Sequence, residues 1–277
     1  MKRGFSVSVI NVMLVLCLAP VALQAAWEYR AKPADLAHEK DVAPDTVNRI
    51  IQNFLVASGQ KDILYGDRCF RLSGSNVTAW DTLVGVEDIK YSSTFIPPNK
   101  GYSRYSFYKS GATRTVDEVY DGSNVWVLSR VFGAPRVEEE SFASRAGYAI
   151  RIFPSLVLTD PNLQPDWIAY RGKEMLGNRE MYRIEFGYVS LENIQLLFDA
   201  KTFLLMEIRS RGSFQPGGAR VNWRYRIPHY TKEGAYYLPA KSEVYIGSTV
   251  IESIVYEEGG FSDTWDEYVF TTRKLKR

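Results

Sequence analysis

His38 and His229 are the only two histidines of the 277-residue chain, and histidine is the side chain that titrates near neutral pH without help from its surroundings. His38 lies in a polar stretch near the N-terminus, and His229 follows Pro228 at the end of an alternating run. No nucleophile stands in a spacing that would use either one, so both read as surface histidines. Cys17 and Cys69 are the only cysteines. Two distant histidines and a cysteine cannot supply the four closely spaced ligands of a structural zinc site. Cys69 follows Arg68, which would lower a thiol pKa, but its place next to Phe70 in an apolar run reads as a small buried hydrophobe. Serine-nucleophile and phosphate-cradling glycine motifs are absent from the sequence. Paired carboxylates could serve glycoside hydrolysis, yet most acidic residues fall in turns or on polar strand faces, where solvation accounts for them. Asn76-Val77-Thr78 fits the short glycosylation acceptor pattern. The expectation is a protein that is not an enzyme and needs neither cofactor nor metal.

With covalent chemistry set aside, binding has to come from surfaces, and the elements decide which surfaces exist. Lys2 and Arg3 precede an apolar stretch from Val7 to Leu23, interrupted by Pro20 and closed by Ala25 and Ala26. This is the pattern of a cleaved export signal, residues 1–25. Leu14-Val15-Leu16-Cys17 is a poor lipid-attachment box, since Leu16 stands where a small residue is needed. Cleavage removes two of the 34 basic residues and none of the 32 acidic ones, leaving 32 of each. Zero formal charge provides no global field for nucleic acid, and Arg273-Lys274-Leu275-Lys276-Arg277 reads as a solvated tail. Only Cys69 survives cleavage, so no intramolecular disulfide forms and stability must come from packing. A composition 45% hydrophobic and 14% aromatic is suited to that.

Residues 26–43 read as a leader and residues 44–277 as one domain. From Pro44, Val47, Ile50, Ile51, Phe54 and Leu55 recur at helical spacing, with Asp45 in the first turn and Gly59 beyond the end. After this helix the period changes to two. Tyr182, Ile184, Phe186 and Tyr188 alternate with polar residues, as do Val221, Trp223, Tyr225 and Ile227. Similar runs fall at 68–77, 102–109, 113–120, 124–131, 193–199, 203–210, 241–247, 249–257 and 266–272, with turn signals at Asp121-Gly122, Gly217-Gly218, Glu233-Gly234 and Gly259-Gly260. Ten or eleven antiparallel strands, one good helix and no βαβ rhythm give a mainly β fold with helices (α+β), built on a single large curved sheet. From Val137 to Trp167 the pattern breaks: Glu138, Glu139 and Glu140 favour the start of a short helix, and Pro154, Pro161 and Pro165 punctuate the rest.

Pro98-Asn99, the aromatic run Tyr102 to Tyr108, and Asp121-Gly122 followed by Trp126 occur in that order. Further on come Phe198-Asp199-Ala200-Lys201-Thr202-Phe203, and then Gly234 to Pro239 followed by Glu243-Val244-Tyr245. This succession resembles the periplasmic outer-membrane lipoprotein-sorting proteins, the LolA-type carriers and their superfamily. The resemblance implies a periplasmic protein whose strongly bent antiparallel sheet forms an incomplete barrel, lidded by the N-terminal helix and the short central helical excursion. Its concave apolar face would take the acyl chains of a lipid or lipoprotein, with an inner- or outer-membrane protein as partner. Those carriers have a basic residue before Pro-Asn that is tied to cargo release. Here Ile96-Pro97 stands in that place, so the role does not transfer.

Strand parity puts Leu72, Tyr105, Phe107, Trp126, Leu128, Ile184, Phe186, Leu196, Leu204, Met206, Ile208, Trp223 and Tyr225 on the concave face, with Ile50, Ile51 and Phe54 as its lid. Each methylene exposed to water costs about 0.8 kcal/mol, so a sixteen-carbon chain faces a penalty of about 12 kcal/mol, which a dry hollow removes. A sensor or scaffold of the same fold, docking a protein segment or a lipidated signal and regulating a partner, is the second reading.

Overall fold

The computed structural model describes residues 44–61, 69–76, 87–96, 99–109, 111–122, 124–129, 136–139, 165–188, 191–213 and 220–262. The export signal, the leader, Gly217-Gly218 and the run 266–272 lie outside the described residues. The compact unit that carries the sheet is Ala43–Arg277.

Helix α1 spans Pro44–Ala57. Proline suits the first turn because it forfeits a donor that has no intrahelical partner there. Val47, Ile50, Phe54 and Leu55 form the buried stripe, whereas Val56 on the opposite side is 60% exposed. The helix ends where the Ser58 hydroxyl donates to the Phe54 carbonyl at 2.7 Å and Gly59 turns to a left-handed φ of 73°. A Cβ at Gly59 would sit 2.1 Å from the Tyr236 ring, so both the backbone and the packing require glycine there.

Thirteen strands form one sheet among the described residues. The first six are β1 (Cys69–Asn76), β2 (Glu87–Ile96), β3 (Lys100–Lys109), β4 (Ala112–Tyr120), β5 (Val125–Ser129) and β6 (Arg136–Glu139). The other seven are β7 (Trp167–Leu176), β8 (Arg179–Tyr188), β9 (Leu191–Asp199), β10 (Leu205–Ser213), β11 (Arg220–Glu233), β12 (Tyr236–Ile246) and β13 (Thr249–Ser262). Every pairing is antiparallel, and the order is β6-β5-β4-β3-β2-β1-β13-β12-β11-β10-β9-β8-β7. Two meanders, β1–β6 and β7–β13, therefore meet at a central β1–β13 seam, and β6 and β7 are the edges.

The register defines two faces. Phe70 pairs with Phe95, Gly101 with Tyr120, and Tyr120 with Val125, so these alternate residues share one face from β1 to β5. Across the other meander, Ile184 pairs with Leu196, Leu196 with Ile208, Ile208 with Tyr225, and Tyr225 with Val244. All of them except Gly101 join the stripe of α1 in one continuous buried cluster. Laid flat, the ten strand spacings between β5 and β8 would extend about 48 Å. One helix about 10 Å wide cannot cover such a face, so the sheet bends around it. A cross-face bond agrees: the Tyr105 hydroxyl of β3 donates to Glu252 of β13 at 3.2 Å, with β2 and β1 lying between. The sheet is an incomplete barrel with a helical lid.

The opposite, convex face of the second meander is ionic. Glu174 pairs with Arg183 and Arg209, Glu185 with Arg171, and Glu207 with Arg209 and Arg226. The Glu207 side chain is only 1% exposed, covered by guanidinium groups that themselves reach solvent.

Four strands differ from the sequence expectation. β2 escapes notice because its inward positions include Ser93 between Tyr91 and Phe95, which blurs the apolar alternation. β7 is interrupted by a bulge between Tyr170 and Lys173 that contains Gly172 at φ 84°. Glu138 and Glu139, expected to open a helix, lie in β6 and pair with Val127 and Trp126 of β5; ladder pairing overrides the local preference. Gly259-Gly260, read as a turn, sits inside β13 opposite Leu72 and Arg71. Leu72 and Leu238 close over Gly259 and take the space of its missing side chain.

Candidate functional site

The concave face is the surface that the fold sets apart. Of the residues expected to line it, Leu72, Ile184, Phe186, Leu196, Ile208, Trp223 and Tyr225 lie together in the helix-side cluster, with Ile50 and Phe54 of α1 buried among them and Ile51 packed against them. Phe54 meets the Phe198 ring at 5.3 Å. Tyr105 and Phe107 share the same face through the β3–β4 register, but belong to a second group with Ile89 and Val116.

Four expected lining residues are elsewhere. Trp126 and Leu128 pack with Cys69, Ile96 and Val119 on the convex side. In β5 both parities are apolar, and the register gives the concave place to Val125, opposite Tyr120. Leu204 and Met206 pack with Met181 and Leu197. A bulge between Leu205 and Glu207 reverses the parity of β10, so Leu205 joins the helix-side cluster, whereas Leu204 and Met206 belong to a separate group that Ala57 at the end of α1 borders.

The sequence reading also missed residues on the concave side. Phe70, Phe95 and Tyr120 belong to the helix-side cluster. A band of buried polar groups crosses the same face. The Ser103 hydroxyl donates to Glu118 at 3.0 Å, and Ser103 is flanked in register by Ser93 and Glu118. Glu118 and Glu252 are each only 8% exposed. Tyr91 stacks at a tilt on Tyr105 at 5.1 Å and meets Tyr256 edge-on at 6.1 Å. The Tyr256 hydroxyl lies 3.0 Å from that of Ser242. Burial pushes the Tyr256 hydroxyl well above the usual phenol range, and the neighbouring Tyr225 and Tyr91 push it further. Only the pairing register could have revealed these carboxylates, since Glu118 and Glu252 read from sequence as polar-face residues.

At the β7 edge, Tyr182 stacks on Phe203 at 5.7 Å and carries Lys173 over its ring at 5.4 Å. Phe203 has a φ of 60° in the turn after Asp199. The Asp199 carboxylate holds that turn by accepting from the Lys201 and Thr202 amides, each at 2.9 Å. The motifs that carried the family resemblance are turns of this kind. Asn99 and Gly122, from two separate motifs, touch: a Cβ on Gly122 would lie 2.8 Å from the Asn99 amide. His229 is exposed on β11, and His38 lies outside the described residues. Among the described residues no group of three or more His, Cys, Asp or Glu could hold a metal ion, and no helix is long and apolar enough to cross a membrane.

An open antiparallel sheet bent around one amphipathic helix is the LolA-like fold. The chain is similar in structure to a putative outer membrane lipoprotein-sorting protein domain from Vibrio parahaemolyticus, with a TM-score of 0.53 and 10% identity over 83% of this chain and 97% of that one. It is similar to a DUF1329 family protein from Desulfovibrio piger, with a TM-score of 0.52 and 12% identity over 83% of this chain and 98% of that one. A LolA superfamily protein from Nitrosomonas europaea superposes with a TM-score of 0.51 and 11% identity over 82% of this chain and 98% of that one. No protein-family model matches the sequence, and no curated protein does.

Proposed function

We propose that the mature chain is a periplasmic carrier that shelters the acyl chains of a lipid or lipoprotein against its concave face, after removal of residues 1–25 on export. The observation that carries this reading is the continuous apolar surface from Ile184 and Phe186 to Trp223 and Val244, covered by a single amphipathic helix. Each methylene moved from water to such a surface gains about 0.8 kcal/mol. Transfer from a bilayer core to the same surface is close to neutral, so loading and unloading need no covalent step. The stripe of α1 is apolar enough to seal the hollow when empty and to stay against a hydrocarbon guest when full. Direction then comes from an inner- or outer-membrane protein that receives the loaded form. The LolA-like fold of the lipoprotein-sorting domain supports the same reading.

Native mass spectrometry and solvent extraction of the protein purified from the exported fraction test it. Co-purifying lipid or a lipidated protein is the expected result. A chain that stays lipid-free and retains a non-lipidated protein segment overturns the carrier and favours a sensor of the same fold.

A further inference from the structure

Of the five large apolar side chains exposed among the described residues, three lie at one edge of the sheet: Val56 of α1, and Ile168 and Met175 of β7. α1 approaches β7 more extensively than any other strand. The Arg49 charge acts on the Tyr170 hydroxyl, and further along Ala57 and Leu176 border the same small apolar group. Helix and edge strand therefore run side by side, with the three exposed side chains spaced along the pair. Val56 is 60% exposed, Met175 61% and Ile168 39%. Among the described residues β7 ends the sheet, so these groups stand on the rim where the barrel is open.

The rim is continuous with the hollow. Tyr170, Tyr182 and Phe203 pack against the helix-side cluster, and the Lys173 ammonium lies over the Tyr182 ring. Its charge is positive. Arg49, Arg179 and Lys201 are exposed, whereas Glu180 is paired with Lys173 at 2.8 Å and Asp199 is buried against its own turn amides. The Ala200 amide donates to the Glu180 carbonyl, which sets Lys201 close to Arg179. Exposed apolar side chains among exposed cations suit the boundary of a bilayer, where hydrocarbon lies just beneath anionic headgroups.

We propose that the α1–β7 rim docks the protein on the surface of an anionic lipid bilayer. Val56, Ile168 and Met175 enter the acyl boundary, and Arg49, Arg179 and Lys201 meet the phosphates. This goes beyond the carrier reading, because it holds whichever guest the hollow takes.

Co-flotation of the purified mature protein with vesicles tests it, using phosphatidylcholine alone and phosphatidylcholine mixed with phosphatidylglycerol. Binding to the mixed vesicles at low salt, weakened by added salt and by omission of phosphatidylglycerol, is the expected result. Met175→Glu should weaken it on the order of tenfold, through lost apolar burial and repulsion by the headgroups. Arg49→Gln should weaken it about fivefold, the effect of one cation at an anionic surface. Val255→Glu changes an exposed apolar residue on β13, six strands from β7, and should leave binding unchanged. Circular dichroism verifies the strand content of each variant. Absence of binding to the mixed vesicles, or an equal loss for Val255→Glu and Met175→Glu, overturns the proposal. Binding to cell membranes but not to vesicles of pure lipid also overturns it, by giving the rim a membrane protein as its partner. The carrier is judged separately: lipid extracted from a protein that binds no vesicles keeps the carrier and removes the docking rim, and vesicle binding by a protein that retains no lipid does the reverse.

Discussion

Tyr230 and Tyr256 show how single residues tie this sheet to pH. The Tyr230 hydroxyl donates to the Leu205 carbonyl, locking β11 to the start of β10, and Tyr256 sits in the polar band beside Ser242. Burial raises both phenols well above their ordinary value of 10.0. In the unfolded chain these groups lose their protons near the ordinary value, whereas in the folded chain they keep them. The stability they contribute is therefore complete below a pH of about 10 and is lost as pH rises toward the folded values. An alkaline titration should show tyrosinate absorbance from the exposed tyrosines first, then a cooperative step coincident with loss of strand signal. Non-cooperative titration of every tyrosine with the fold intact would refute the burial of these two hydroxyls. At this scale the sequence was legible where local geometry demands a residue type. Asp199, Gly122 and Gly234 could be read as turn residues, because turn chemistry lies within a few positions of chain. Glu118 and Glu252 could not be read as interior groups, because nothing local distinguishes an inward carboxylate from an outward one.

At the scale of elements, α1 was readable in full. Its stripe repeats every three or four residues, and its cap and first turn follow the usual chemistry of helix ends. The two sides of this helix should answer differently to the same change. Ile50→Lys puts a charge at a position with 0% exposure and should cost several kcal/mol, on the scale of a buried unpaired cation. Val56→Lys, at a position 60% exposed in a last turn that lacks a basic residue, should change stability by no more than about 0.5 kcal/mol. Urea midpoints of the two variants decide it, and equal losses would contradict the packing of α1 against the sheet. The strands were less readable. In β8 and β11 one parity is apolar and the other charged, so Ile184, Phe186, Trp223 and Tyr225 could be placed. In β5 both parities are apolar, and in β10 one bulge reverses the sense, so strand alternation alone does not separate Trp126, Leu128, Leu204 and Met206, which pack in groups of their own, from the helix-side cluster. A bulge is one extra residue whose position depends on the partner strand, and a single strand carries no trace of its partner.

On the scale of the whole molecule, the seam between β1 and β13 joins two meanders whose other pairings are all between neighbours in the chain. Closing it brings together residues from opposite ends of the domain, and the contact is tight. A Cβ on Gly74 would lie 2.0 Å from the Val255 carbonyl oxygen, at the point where the register shifts. Gly74→Ala should push β1 away from β13 and cost about 1–3 kcal/mol. Amide hydrogen exchange should quicken along both seam strands while β8 and β9 keep their protection, and unchanged exchange at the seam would count against its role. The sequence by itself determined the class of this protein, a mostly antiparallel β chain with one amphipathic helix, because periodicity, caps and turns are written within short stretches of residues. Only the tertiary structure decided which strands form the edges, where the meanders meet, and that carboxylates share the concave face with the hydrocarbon residues. Those features depend on register and bulges, which arise between strands far apart in the chain and are set by the packing of the whole sheet around α1.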